Sequence, residues 1–226
     1  MIYFAHRGFS SRRVQNTCES FALARERGAT CYELDVHLLK DGQLAVHHDY
    51  SLFSTAGIDV KLADLTAEDL KKYPLRNPFT QNSVYVPLLQ EVLPLVMPGL
   101  QLLNIEVKND ANIYPGIEKV LMSLLEKYPQ IALKTLFSSF DQSTLRRLRA
   151  LNKNARIGLL TRNFDISEAL ALGVESIHIN QTRLTEDIVQ ACHENGLKIF
   201  VYTVNTAKEK ERADKMGADG IFSDGW

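Results

Sequence analysis

The sequence of 226 residues predicts an α/β fold, specifically a closed (β/α)8 TIM barrel with a small insertion after the second strand. Short apolar segments alternate with helical segments along the chain, which favours right-handed βαβ units and a parallel sheet. Gly173, Gly196 and Gly217 each follow a predicted helix, where a left-handed residue ends a helix. Polar residues gather just after the apolar segments, where a barrel of this kind builds its site.

The chain begins with a strand, a polar corner and a helix. The apolar run Ile2–Ala5 predicts a buried strand that stops at His6-Arg7-Gly8. Thr17 is the expected N-cap of the following helix, with Ser20 three residues later, and Gly28 ends it.

The stretch Cys31–Asp49 predicts a strand, a turn at Lys40-Asp41-Gly42 and a second strand ending in His47-His48-Asp49. Because successive side chains of a strand point to opposite faces, Glu33 and Asp35 share one face. Two carboxylates this close raise each other's pKa unless a cation lies between them. A hard divalent ion with oxygen ligands, Mg2+ or Ca2+, is the expected occupant.

Residues 50–99 are expected to be an inserted segment near the site within a single domain spanning residues 1–226. Prolines at 74, 78 and 87 interrupt this connection, and Thr66 with Asp69 predicts a short capped helix. The helix Leu88–Val96 returns the chain to the barrel.

From residue 101 onward the alternation is regular. The further predicted strands are Gln101–Glu106, Thr135–Ser138, Ile157–Leu160, Ser176–Ile179, Ile199–Tyr202 and Gly220–Phe222. The helices between them are Ile117–Glu126, Asp141–Leu151, Ile166–Leu172, Thr185–Glu194 and Ala207–Met216. An open doubly wound sheet is the alternative, but the first strand lacks the glycine-rich turn typical of that fold. The predicted strands end in polar residues that should converge: His6, Arg7, Glu33, Asp35, Glu106, Lys108, Ser138, Ser139, Asn180 and Asn205.

Composition excludes several classes of protein. The formal net charge is −1 with no basic block, which argues against nucleic acid as a partner. Three cysteines without C-x-x-C spacing predict neither a disulfide framework nor a zinc site. No apolar run is long enough for stable membrane insertion, and the start of the chain lacks a signal-peptide pattern, so a cytoplasmic location is expected. The sequence leaves open whether the chain forms a homo-oligomer.

A set of motifs runs through the chain in a fixed order: Ala5-His6-Arg7-Gly8, Asn16-Thr17-x-Glu19-Ser20-Phe21, Glu33-x-Asp35-Val36, Lys40-Asp41-Gly42, Val46-x-His48-Asp49, Val86-Pro87-x-Leu89-x-Glu91-Val92-Leu93, Ile105-Glu106-Val107-Lys108, Ser138-Ser139-Phe140, Thr203-Val204-Asn205 and Gly217-Ala218-Asp219-Gly220. Together these motifs resemble those of the glycerophosphodiester phosphodiesterases, of the bacterial cytoplasmic type, over about residues 5–224. Gln15, Leu39 and Tyr202 depart from residues frequent in the family, and none of these departures removes a metal ligand or a histidine.

The resemblance implies a metal-dependent hydrolase that converts glycerophosphodiesters, such as glycerophosphocholine or glycerophosphoethanolamine, to sn-glycerol 3-phosphate and an alcohol. It implies that Glu33, Asp35 and Glu106 hold one divalent cation and that His6 and His48 are the acid and the base, in an order left open. From the chemistry of phosphodiester cleavage, Arg7 and Lys108 are expected to bind the substrate phosphate. Phe140, Tyr202 and Phe53 are candidates for the alcohol pocket.

The other histidines are expected to be bystanders: His37 and His47 on the hairpin, His178 in a strand and His193 on a helix surface. Two alternatives stay open. One is a lysophospholipase D or another phospholipase-like phosphodiesterase on the same barrel, and the other is a non-catalytic module that binds phosphodiesters. The complete set of candidate acidic and histidine residues speaks against the binding module.

Overall fold

The computed structural model describes residues 1–110 and 113–225 and confirms the predicted barrel. The strands of the described residues are β1 Ile2–His6, β2 Cys31–Leu38, β3 Leu44–Val46, β4 Leu102–Val107, β5 Thr135–Ser139, β6 Arg156–Leu160, β7 Ser176–Asn180, β8 Lys198–Tyr202 and β9 Gly220–Ser223. Eight parallel strands follow the order β1-β9-β8-β7-β6-β5-β4-β2, and pairing of β1 with β2 closes the ring, which rules out the open sheet. The remaining strand, β3, pairs with β2 antiparallel as the predicted hairpin.

The α-helices of the described residues are α1 Cys18–Glu26, α2 Phe53–Ala56, α3 Ala67–Leu70, α4 Leu89–Val96, α5 Ile117–Glu126, α6 Pro129–Ala132, α7 Gln142–Leu151, α8 Ile166–Leu172, α9 Glu186–Glu194 and α10 Ala207–Lys215. They lie where the sequence predicts helices, apart from the four-residue helices α2 and α6. Thr17 caps α1 and Thr66 caps α3 through reciprocal capping boxes with Ser20 and Asp69. Among residues 1–110 and 113–225, no helix combines the length and the apolar character needed to cross a membrane.

Aromatic side chains fill the interior of the barrel below the site. Phe4 stacks on Phe222 with ring centroids 4.6 Å apart and contacts Phe200 at 5.3 Å. His178 lies against both Phe200 and Phe222 at 5.2 and 5.3 Å. Of these buried rings, His178 and Phe222 line the cavity that holds the candidate site.

The corner after β1 is tightly constrained. Arg7 and Gly8 both have left-handed backbones, with φ of 58° and 81°. A Cβ at residue 8 would lie 2.6 Å from the backbone carbonyl carbon of Ser20, so only glycine fits between the corner and α1. Ser20 Oγ also donates a hydrogen bond to the carbonyl of Arg7 at 2.9 Å. Helix α1 therefore fixes the backbone that carries His6 and Arg7.

Residues 50–99 build a small apolar cluster beside the hairpin. Leu52, Leu62, Leu65 and Leu70 are buried in it together with Ala45 of β3. A bridge between Ala45 and Leu88 joins the end of this segment to the hairpin. The segment thus packs beside the hairpin whose strand β2 carries Glu33 and Asp35 and whose strand β3 is followed by His48.

Candidate active site

Three buried carboxylates meet at the carboxyl ends of two neighbouring strands. Asp35 of β2 lies opposite Glu106 of β4 in the parallel register, and Glu33 is two residues before Asp35 on the same face. One carboxylate oxygen from each of the three residues lies within 4.8 Å of the others. The side chains that the sequence predicts as metal ligands are therefore together.

The three carboxylates of this cluster have shifted pKa values. Burial, and then the charge of Asp35, raises the pKa of Glu33 well above its ordinary value. The same two causes raise the pKa of Glu106 to about 7. Asp35 behaves differently, because Arg7 and Lys108 outweigh the opposing effect of burial and hold its pKa below the usual range.

Two cations partly balance the carboxylates. Arg7 Nε lies 3.3 Å from Asp35 Oδ2. Lys108 Nζ lies 2.8 Å from Glu106 Oε1 and 3.6 Å from Asp35 Oδ1, and these carboxylates raise the lysine's pKa although burial opposes the shift. The carboxylates still outnumber the cations by one, so a divalent ion would leave one net positive charge beside a singly charged phosphodiester.

The residues present fit a divalent ion. Asp35 Oδ1 is buried and accepts no hydrogen bond from the described residues, which is the state expected of an oxygen reserved for another ligand. All three candidate ligands are carboxylates, the donors that Mg2+ and Ca2+ prefer. Asn16 donates a hydrogen bond from Nδ2 to Asp35 Oδ2 at 2.8 Å, which orients that carboxylate.

Each of the two candidate histidines hydrogen-bonds an aspartate through Nδ1. His6 Nδ1 lies 2.6 Å from Asp224 Oδ1, and His48 Nδ1 lies 2.6 Å from Asp49 Oδ1. Ser54 Oγ donates to the second oxygen of Asp49. Burial lowers the pKa of His6 and of His48, while the neighbouring carboxylates oppose that shift.

A cavity of about 690 Å³ opens above the carboxylates. Its lining includes His6, Arg7, Glu33, His48, Glu106 and Lys108. Phe140 and Tyr202 also line it, as the sequence predicts for the alcohol pocket, and the Arg162 guanidinium stacks 4.5 Å from the centre of the Phe140 ring. Phe53 is not part of this lining and is 63% exposed on α2.

The predicted bystander histidines have structural contacts. His37 Nδ1 lies 2.9 Å from Tyr114 Oη, and His47 Nε2 lies 2.9 Å from Thr55 Oγ1. His193 pairs with Asp219 on the outer surface. His178 is fully buried, as predicted for a residue inside a strand, but its ring also lines the cavity of the site.

Sequence reasoning gave no role to Asn16 and Asp224. Asn16 belongs to the motif Asn16-Thr17-x-Glu19-Ser20-Phe21, so its polar side chain next to the first helix was an available signal. Asp224 follows the last strand, and closure of a barrel places the last strand beside the first. That neighbourhood could have pointed to a partner for His6.

Fold and site together define a (β/α)8-barrel enzyme whose centre combines three carboxylates with two cations at the carboxyl ends of its strands. The profile of the Glycerophosphoryl diester phosphodiesterase family matches residues 6–225. The chain belongs to this family and is a phosphodiesterase that hydrolyses glycerophosphodiesters.

Its relatives match along nearly the whole chain. A glycerophosphodiester phosphodiesterase of Caldanaerobacter subterraneus subsp. tengcongensis is 34% identical, covering 99% of this chain and 93% of the relative. One from Bacillus altitudinis is 35% identical, covering 98% and 93%. The structure of an Oleispira antarctica phosphodiesterase in complex with the product sn-glycerol-3-phosphate shares the fold, with a TM-score of 0.91, 24% identity and coverage of 99% and 93%.

Proposed function

We propose that this enzyme hydrolyses glycerophosphodiesters of small alcohols, such as glycerophosphocholine or glycerophosphoethanolamine, to sn-glycerol 3-phosphate and the free alcohol in a metal-dependent reaction. The observation that carries the proposal is the convergence of Glu33, Asp35 and Glu106 within 4.8 Å, in a cavity that also presents two histidines and two cations. The family membership supports the reaction class, and the free thiols of Cys18, Cys31 and Cys192 fit a cytoplasmic location.

Glu33, Asp35 and Glu106 are the proposed ligands of one divalent cation, Mg2+ or Ca2+. When bound, the ion would supply Lewis-acid stabilisation of charge on the phosphate oxygens. Burial is the larger cause of the raised pKa values of Glu33 and Glu106, and the ion would relieve the second cause, repulsion by the neighbouring carboxylates.

Arg7 and Lys108 are the proposed binding groups for the phosphate. Both are largely buried, so their charges act in a medium that screens them weakly. Gln15 accepts a hydrogen bond from Arg7 Nη1 at 2.7 Å and limits the motion of the guanidinium. A planar guanidinium can donate to two phosphate oxygens at once, whereas the ammonium of Lys108 acts as a point charge.

His6 and His48 are the proposed general acid and base. One removes a proton from the attacking nucleophile and the other protonates the leaving alkoxide, and which does which is left open. Loss of either should cost about 10²–10⁴-fold in rate, the usual contribution of a positioned acid or base. Phe140 and Tyr202 lie in the same cavity and are the proposed walls of the alcohol pocket.

A coupled assay of sn-glycerol 3-phosphate release from glycerophosphocholine tests the proposal. We expect release in Mg2+ or Ca2+, loss of release in EDTA, and a severe loss in His6→Ala and His48→Ala. Release in EDTA at the full rate would contradict the metal requirement. Preference for intact lysophosphatidylcholine would instead assign the activity of a lysophospholipase D, and binding of diesters without hydrolysis would indicate a non-catalytic module.

A further inference from the structure

Asp224 is held beside His6 by the closure of the barrel. Ala5 of β1 is the register partner of Ser223 of β9, so the residues that come next in the chain, His6 at the end of β1 and Asp224 just after β9, lie side by side at the mouth of the barrel. The two side chains meet at 2.6 Å between Nδ1 and Oδ1, although they are 218 positions apart in the chain.

The carboxylate of Asp224 is fixed by further partners. Ser10 Oγ donates to Oδ1 at 3.0 Å, and Asn205 Nδ2 donates to Oδ2 at 2.6 Å. The backbone N–H of Asp224 donates in turn to Asn205 Oδ1 at 2.9 Å. Both oxygens therefore have defined directions, and the contact with His6 is part of a network that spans three loops.

This network determines which nitrogen of His6 carries a proton. The hydrogen bond from His6 lowers the pKa of Asp224 to about 2 against the opposing effect of burial, so the carboxylate is ionised and can only accept. His6 Nδ1 must then be the donor. The other nitrogen, Nε2, lies 3.9 Å from Glu33 Oε2, on the side of the acidic cluster.

We propose that Asp224 is the positioning residue of His6: it holds the imidazole with Nε2 toward the substrate phosphate and stabilises the imidazolium that forms when this nitrogen takes up a proton. The inference rests on the proposed role of His6 as acid or base. It gives the site two matched histidine–aspartate pairs, since Asp49 makes the same contact with His48. In serine proteases, exchange of such an aspartate for asparagine costs about 10⁴-fold in kcat because the imidazole adopts the wrong tautomer.

A double-mutant cycle separates this role from simple structural support. Asp224→Asn is measured in the wild-type and in the His6→Ala background, with kcat and KM for glycerophosphocholine. We expect kcat to fall about 10²–10⁴-fold in the wild-type background with KM nearly unchanged, no further loss in the His6→Ala background, and an intermediate kcat for Asp224→Glu. Nitrogen NMR of labelled histidine should show His6 protonated at Nδ1 in the wild type and at Nε2 in Asp224→Asn.

Asp219→Asn is the matched control, because Asp219 also pairs with a histidine, His193, but on the outer surface. It should keep wild-type kcat. Should Asp224→Asn fail to fold, Asn205→Ala loosens the same carboxylate, and its smaller loss of kcat should likewise vanish when His6 is absent.

Equal losses from Asp224→Asn in both backgrounds, or an unchanged His6 tautomer, would overturn the positioning role. Wild-type kcat in Asp224→Asn, together with an inactive His6→Ala, would overturn it while leaving the proposed function intact. Full activity in His6→Ala would instead reject the role proposed for that histidine.

Discussion

Asp35 and Glu106 lie directly opposite each other on adjacent parallel strands, and both side chains are buried. Like charges in such a position destabilise a protein unless something compensates them. Lys108 contacts both carboxylates but supplies only one positive charge, and Arg7 supplies the second to a group that also contains Glu33. The arrangement is therefore better suited to holding a cation than to stabilising the fold by itself.

Glu106→Gln should separate stability from metal response. The change removes one of three crowded negative charges, so we expect the metal-free variant to unfold at the same or a higher temperature than the wild type. Addition of Mg2+ or Ca2+ should raise the unfolding temperature of the wild type through binding to the native state and should raise that of the variant much less at the same metal concentration. Thermal unfolding with and without each ion is the measurement, and an equal rise in both proteins would contradict the assignment of Glu106.

Asn16→Ala should weaken metal binding without removing a ligand. Asn16 is buried with φ of 57° and donates to Asp35 Oδ2, so its loss frees that carboxylate to rotate. Loss of an outer partner of a metal ligand typically costs about 10–100-fold in affinity. The metal concentration needed for half-maximal hydrolysis should rise by that factor, while kcat at saturating metal should change less. An unchanged metal requirement would show that Asp35 is oriented by other groups.

Lys108→Met should slow the reaction by removing a fixed positive charge from the phosphate site. Removal of one preorganised group that stabilises developing negative charge commonly costs about 10²–10³-fold in kcat. Steady-state kinetics on glycerophosphocholine at saturating metal give the value. Lys153→Met, at an exposed position between α7 and β6, is the control and should behave as the wild type. Loss of metal binding alone, with normal kcat at high metal concentration, would contradict a role at the phosphate.

His178 should make the stability of the protein depend on pH. Burial lowers the pKa of His178 from 6.5 to about 3. Below pH 6.5 this imidazole is therefore protonated in the unfolded chain and stays neutral in the folded chain. Above pH 6.5 the effect of His178 on the free energy of unfolding does not change with pH. Below pH 6.5 the free energy of unfolding decreases as the pH falls toward 3. Each pH unit in that window costs about 1.4 kcal/mol for one such group.

The corresponding measurement is urea unfolding at pH 7 and pH 5. The difference in the free energy of unfolding between these two pH values should be smaller in His178→Leu by about 1–2 kcal/mol. His193→Gln is the matched loss of one imidazole from the outer surface. The same pH dependence in His178→Leu and in the wild type would refute the contribution assigned to His178.

The barrel could be predicted from the sequence because each of its signals is local. The apolar run Ile2–Ala5, the capping pair Thr17 and Ser20 and the glycine after α8 each act within a few residues. The pairing of Glu33 with Asp35 follows from the two-residue period of a strand, and the approach of Glu106 follows from the meeting of parallel strand ends.

The polar partners of these residues could not be found in the same way. The contact of Asp224 with His6 depends on the register between the first and last strands, and the contact of Asn16 with Asp35 depends on a left-handed backbone at residue 16. The position of Phe53 outside the cavity could not be predicted either. The path of residues 50–99 depends on how this segment packs against the hairpin, which is a contact between distant parts of the chain.

Calorimetric titration of the metal-free protein with Mg2+ and with Ca2+ tests most directly whether Glu33, Asp35 and Glu106 hold one divalent cation. We expect the wild type to bind one such ion per chain and Glu106→Gln to bind it about 100-fold more weakly, because ligand charge sets the affinity of a carboxylate site. A wild-type protein that binds neither ion, or a Glu106→Gln variant that binds as tightly as the wild type, would contradict this metal site.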